Sequence, residues 1–225
     1  MRGPDRTIVF LAMSIAGASL LNRSINYAAS APIGGGVTRA YISHQLATVP
    51  QDNIVGCWAA SLSALFGAFG HPVNQDRIRL RYFPTGMIST GPPAVMMDAL
   101  NTTWTDDYGR NFRITSAITN LFPPNAPQGP IQVRNSDIVS ALTNETPVFY
   151  ADLTHAMVLV QADYVSQGFG QPIILGGGAI DPEPRSCPPF GTPCFPLVAT
   201  GFRQLQRVEM IGMFVGIPLR IESLP

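Results

Sequence analysis

Charge is scarce in this chain. Only 12% of its 225 residues are Asp, Glu, Lys or Arg, and fourteen acidic residues offset fourteen basic ones. A neutral balance spread this thinly provides no cationic surface for the phosphates of a nucleic acid or for an anionic membrane face, so neither is expected as a partner. Cysteine and histidine are scarcer still, with three of each. His44, His71 and His155 lie far apart with no second group of ligands beside them, so neither a metal nor any other cofactor is expected. Internal repeats and heptads are absent. So is a long apolar run: the weakly apolar stretch 7–21 falls short of the roughly 20 residues that span a bilayer comfortably.

That stretch has another reading. It follows Arg2 and Arg6 and precedes Ala29-Ser30-Ala31, and a basic start, an apolar core and a small-x-small site together describe an export signal over residues 1–31. Residues 32–225 then form a single domain, secreted or periplasmic, with no stable membrane insertion once the signal is removed. The alternative is a buried N-terminal helix kept in a cytoplasmic protein. Cys187 and Cys194 flank a proline-rich loop of six residues, where a disulfide would stiffen a segment poor in regular hydrogen bonds. Such a bond fits an oxidising compartment. A reduced pair or a metal site are the other readings.

The third cysteine, Cys57, opens the apolar, alanine-rich segment 57–66 directly after the polar approach 51–56. A thiol there sits in the first turn of a buried helix, where unpaired backbone N–H groups favour a thiolate over a thiol. Taken alone, Cys57 is as well read as a small buried hydrophobe. Two later residues shift the balance. His155 begins the strand-like run 155–160, and Asp181 ends the apolar run 172–180. A cysteine on a helix, a histidine at a strand start and a carboxylate at a strand end can serve as nucleophile, base and orienting group. His71, beside Pro72, is a weaker alternative base.

The remaining pattern places these residues. Residues 32–36, rich in glycine, read as a flexible joint, and 37–48 as a strand or a short helix. The helix from Cys57 carries Trp58, Leu62, Leu65, Phe66 and Phe69 on one face and stops at Gly70-His71-Pro72. Asn74 caps a short helix, and another starts at Pro92-Pro93. Residues 101–130 read as turns and mixed patterns. Ser136 or Asp137 caps a helix that leads through Thr146-Pro147 into the strand 148–151. Strands 155–164 and 173–180 pair as a hairpin, and 202–208 and 210–215 supply one or two more. Twenty-one prolines and 21 glycines imply long ordered loops of the kind that build a groove. The fold class expected is α+β, with a helical N-terminal half and a central nucleophile helix packed on a C-terminal antiparallel sheet.

The set Gln51, Cys57-Trp58-Ala59, His155-Ala156-Met157-Val158 and Asp181-Pro182 resembles the papain-like cysteine peptidases, most closely their AvrRpt2-like and C39-like bacterial branches, over residues 40–217. The resemblance implies the papain-like fold and hydrolysis of peptide bonds in a protein or peptide substrate. It assigns Cys57 as nucleophile, His155 as base, Asp181 as its orienting partner and Gln51, six residues before the cysteine, as donor to the oxyanion. An inhibitor partner is not legible. The alternatives are a thiol acyltransferase or amidase with the same nucleophile, and a non-catalytic binding protein on the same scaffold.

Overall fold

The computed structural model describes residues 30–53, 55–86, 90–120, 133–152, 155–166, 168, 170–183, 201–210 and 214–225. The expected export signal lies almost wholly outside them, as does the Cys187–Cys194 pairing.

In chain order the described elements are β1 (Ser30–Gly34), β2 (Val37–Tyr41), α1 (Cys57–Ala68), α2 (Gln75–Tyr82), α3 (Pro93–Ala99), β3 (Thr103–Thr105), β4 (Asn111–Asn120), α4 (Asn135–Thr143), β5 (Val148–Ala151), β6 (Ala156–Val165), β7 (Ile173–Ile180), β8 (Phe202–Gln206), a 3-10 turn at Arg207–Met210, and β9 (Phe214–Ser223). All nine strands join one sheet in the order β1-β2-β6-β5-β9-β4-β3, with β7 and β8 branching from β6. Every pairing is antiparallel. Strand β6 is the hub. Its first half, residues 156–159, pairs with β5 and its second half, 161–164, with β2, while 158–165 pairs with β7. The class is therefore α+β.

The expected division into a helical first half and a sheet-forming second half does not hold, because β1 to β4 all precede residue 121 and lie in the same sheet. Two readings fail for identifiable reasons. The glycine-rich joint is the turn of a hairpin, with Gly35 and Gly36 at φ +59° and +74°, the left-handed pair that a tight two-residue connection between antiparallel strands requires. The boundary expected after residue 31 falls inside β1. The second failure is β4, a ten-residue strand within the stretch read as turns. Its alternation of exposed and buried positions runs from Asn111 to Ser116 and is then broken by a register shift and by inward-facing polar residues, Ser116 and Asn120.

Smaller corrections follow the same logic. The last strand starts at Phe214 and continues through Pro218, which the chain accommodates opposite Ser116 where the ladder is already irregular. Helix α4 starts at Asn135, and Asp137 caps it from the first turn by accepting the Arg134 N–H at 2.8 Å. Asn74 caps α2 as expected, its Oδ1 accepting the Asp76 N–H at 2.8 Å.

Helix α1 is buried all round, not on one face: each residue from Trp58 to Phe66 is inside. Ala59, Ala60, Ser61 and Ala64 make this geometrically feasible by letting the helix lie close against β5 and β6, while Trp58 and Phe66 fill the space towards Tyr82, Phe83, Trp104 and Phe112. Among the described residues no helix is long and apolar enough to cross a membrane.

The glycine run of β7 is set by close approach. A Cβ on Gly177 would lie 2.6 Å from the backbone oxygen of Gln161 in β6 and 3.0 Å from the Met210 sulfur. Gly177→Ala is therefore expected to force β6 and β7 apart and to lower the unfolding free energy by about 1–3 kcal/mol, read from urea denaturation.

Candidate active site

Three segments distant in sequence meet where α1 begins. Cys57 is the first residue of α1 and is partly exposed. No side chain caps this helix and no acidic residue lies in its first turn, so the positive end of its dipole acts on the thiol. Ser61, one turn further on, donates its hydroxyl to the carbonyl of Ala156 at 2.9 Å. That bond fixes the helix against the residue that follows His155.

His155 stands immediately before β6 with its backbone held in both directions by Asp152. Its N–H donates to Asp152 Oδ1 at 2.7 Å, and its carbonyl accepts the Asp152 N–H at 3.0 Å. The ring lies between two partners. Nε2 is 2.7 Å from Asp181 Oδ1, and the Cys57 side chain is close enough to the ring to raise its basicity. The structure thus brings together all three residues expected to form the triad, in the order thiol, imidazole, carboxylate.

Asp181 is 1% exposed and is surrounded by donors. Its Oδ1 also accepts the Glu183 N–H at 2.8 Å, its own N–H donates to the Gly201 carbonyl at 2.8 Å, and Arg203 Nη1 lies 3.4 Å from Oδ2. Gln51 reaches the same corner from the other side, its backbone N–H donating to the Pro182 carbonyl at 2.9 Å. The Gln51 side-chain oxygen is buried without a hydrogen-bond partner. Leaving such an acceptor unsatisfied costs about 1–3 kcal/mol.

His71, the alternative base, is excluded by distance along the helix. It follows the C-terminus of α1, whose 12 residues separate it from Cys57 by about 18 Å of rise. It is engaged there with Asp106 at 3.2 Å and stacked on Phe112. His44 pairs with Glu145 at 3.0 Å. Among the described residues no group of three or more His, Cys, Asp or Glu side chains converges as metal ligands. A hollow of about 390 Å³ lies along Tyr41–Leu46 against Val160, Ile180 and Phe202 and includes none of Gln51, Cys57, His155 and Asp181.

Three contributors were not legible beforehand. Ser61 reads as a small helix-packing residue, and Asp152 lies between the strand 148–151 and His155 with no pattern to mark it. Arg203 becomes visible only once the register of β7 and β8 is known, because it pairs with Ala179, two residues before Asp181. No family model, curated protein or solved structure matches the chain.

The electrostatics follow from this geometry. Burial pushes His155 towards its neutral form, but the hydrogen bond to Asp181, the Cys57 side chain and the charges of both outweigh it and raise the imidazole from 6.5 to about 10. A group raised on folding stabilises the folded state fully below its unfolded value, and that contribution is lost as pH rises through the folded one. The window here runs from pH 6.5 to about 10. In Asp181→Asn the His155 titration midpoint is expected to fall. The stability difference from the parent chain should be largest below pH 6.5 and shrink towards pH 10, as measured by urea unfolding across that range.

Proposed function

We propose that the chain is a cysteine peptidase of papain-like fold, in which Cys57, His155 and Asp181 hydrolyse peptide bonds and the Gln51 amide assists at the oxyanion. The observation that carries this reading is the imidazole of His155, hydrogen-bonded to a carboxylate 1% exposed and coupled to a thiol at an uncapped helix start. A buried aspartate on the far nitrogen holds the ring in one tautomer and stabilises the imidazolium, and an imidazolium beside sulfur stabilises the thiolate.

The chemistry then proceeds in balanced steps. The Cys57 thiolate adds to the carbonyl carbon of the scissile bond, and the carbonyl electrons move to oxygen. The Cys57 backbone N–H and the Gln51 side-chain amide donate to that oxygen, a contribution of the order of 3 kcal/mol for a well-placed donor. Collapse breaks the C–N bond while the His155 imidazolium gives its proton to the departing amine, leaving a thioester and a neutral imidazole. His155 next takes a proton from water, the hydroxide adds to the thioester, and the C–S bond breaks to release the acid and restore the thiolate–imidazolium pair. An amine in place of that water would make the same intermediate an acyl donor. An export signal over residues 1–31 would put this activity outside the cytosol, on protein or peptide substrates.

The test is a peptide-library cleavage screen on the full chain and on Cys57→Ala, run with and without added amines, together with alkylation of Cys57 by iodoacetamide near neutral pH. Rapid alkylation and cleavage that fall by at least about 10³-fold in Cys57→Ala are expected. Products formed only with amines would make it an acyltransferase. A thiol that resists alkylation in the folded protein, with no turnover of any amide, would make it a binding protein on this scaffold.

A further inference from the structure

We infer that Arg203 is a positioning residue for the proposed hydrolysis, aiming the Asp181 carboxylate at His155 and tempering its charge; this rests on the triad assignment above. The backbone sets up the contact. Strands β7 and β8 pair Ala179 with Arg203, so the Arg203 side chain leaves the sheet on the face that Asp181, two residues past Ala179, also uses.

The two oxygens of Asp181 have separate partners. Oδ1 accepts from His155 Nε2 at 2.7 Å and from the Glu183 N–H at 2.8 Å, while Oδ2 faces Arg203 Nη1 at 3.4 Å. At that distance the contact is more Coulombic than a strong hydrogen bond. It nonetheless opposes rotation of the carboxylate, which would carry Oδ1 off the imidazole. Arg203 is itself anchored. Its Nη2 pairs with Glu209 Oε1, the other Glu209 oxygen accepts the Gln206 N–H at 2.9 Å, and the Glu209 carbonyl accepts the Tyr150 hydroxyl. Nη1 also lies 3.8 Å from the Met157 sulfur. A guanidinium fixed at one end by a carboxylate is a stiff strut at the other.

The sign of the electrostatic effect is fixed by this arrangement. Among the described residues, the charged and titratable groups around the His155–Asp181 pair are Cys57 from α1, Tyr150 and Asp152 from β5 and its end, Glu183, Arg203 from β8 and Glu209 from the 3-10 turn. Arg203 is the cation among them other than His155 itself. It repels a proton on His155, and Glu209 offsets part of that repulsion.

The experiment is NMR titration of the His155 ring in the full chain, which reads the pair without requiring turnover, combined with peptide hydrolysis. Arg203→Met is expected to raise the His155 midpoint by about one pH unit, the lost cation outweighing the looser bond to Asp181, and to lower kcat about tenfold with KM little changed. Arg203→Lys keeps the charge, leaves the midpoint near that of the parent and recovers part of kcat. Glu209→Gln moves the midpoint the opposite way, downward, and serves as the second probe should Arg203→Met unfold by circular dichroism. Unchanged midpoints in both charge-removing variants would overturn the inference. A parent chain that hydrolyses no amide, but whose midpoints move as stated, would overturn the peptidase reading and leave the Arg203–Asp181–His155 coupling standing.

Discussion

The hydrogen bond between Asp181 and His155 is the constraint on which the rest of the site depends. A carboxylate with 1% of its surface exposed cannot remain ionised on solvation, so its charge has to be met by protein donors. The chain supplies them from three places: His155 before β6, the Glu183 N–H just downstream and Arg203 in β8. The same stretch is tied on through its backbone, Asp181 N–H to Gly201 and Pro182 carbonyl to Gln51. One buried aspartate therefore gathers the approach to the cysteine helix, the start of the central strand and the entry to β8 into a single corner. Removing its carboxylate would leave His155, the Glu183 N–H and Arg203 without their common acceptor.

The sulfur reaches that corner by a different route. Helix α1 is enclosed along its whole inner length, which would ordinarily leave its depth and rotation to shape complementarity alone. Ser61 adds a directional element. It lies four residues after Cys57, so both point to the same side of the helix, and its hydroxyl is bound to the carbonyl of Ala156, the residue after His155. Nucleophile and base are thus referred to neighbouring peptide units. The mutual bonds between Asp152 and His155 then fix the histidine backbone from the opposite direction. The approach of the thiol to the ring is the sum of these few short links, each within a turn or a residue of the group it positions.

How much of this could be read from the sequence follows from which interactions are local. Helix α1, the Asn74 cap and the β6–β7 hairpin are encoded by neighbours in sequence, and all were legible. So were Cys57, His155 and Asp181, because each lies at one end of an apolar run. Sheet membership was less accessible. Strand β4 finds its partner in β9 about a hundred residues away, and the bulge at Thr115/Ser116 breaks the alternation that would have announced it. The glycines at 34–36 read as slack, although a tight antiparallel turn asks for that same composition. Arg203 was invisible because its role exists only in the register between β7 and β8.

The molecule contains a second buried histidine–aspartate pair, and the contrast explains what makes a site. His71 Nδ1 lies 3.2 Å from Asp106, its Nε2 is 3.4 Å from the Ser223 hydroxyl, and the string of carboxylate, imidazole and hydroxyl superficially parallels that at His155. Asp106, however, also accepts the N–H groups of Tyr108 and Arg110 and the Arg110 guanidinium, which together with His71 outweigh burial and hold it well below the usual carboxylate range. The His71 ring is stacked on Phe112 at 4.5 Å. The hydroxyl belongs to Ser223, the last residue of β9 and not the start of a helix, and a serine lacks the acidity of a thiol. This pair clamps the end of β9 to the connection after α1. At His155 the equivalent position is taken by a sulfur at a helix start, and there the same imidazole–carboxylate unit is coupled to a group that can carry charge.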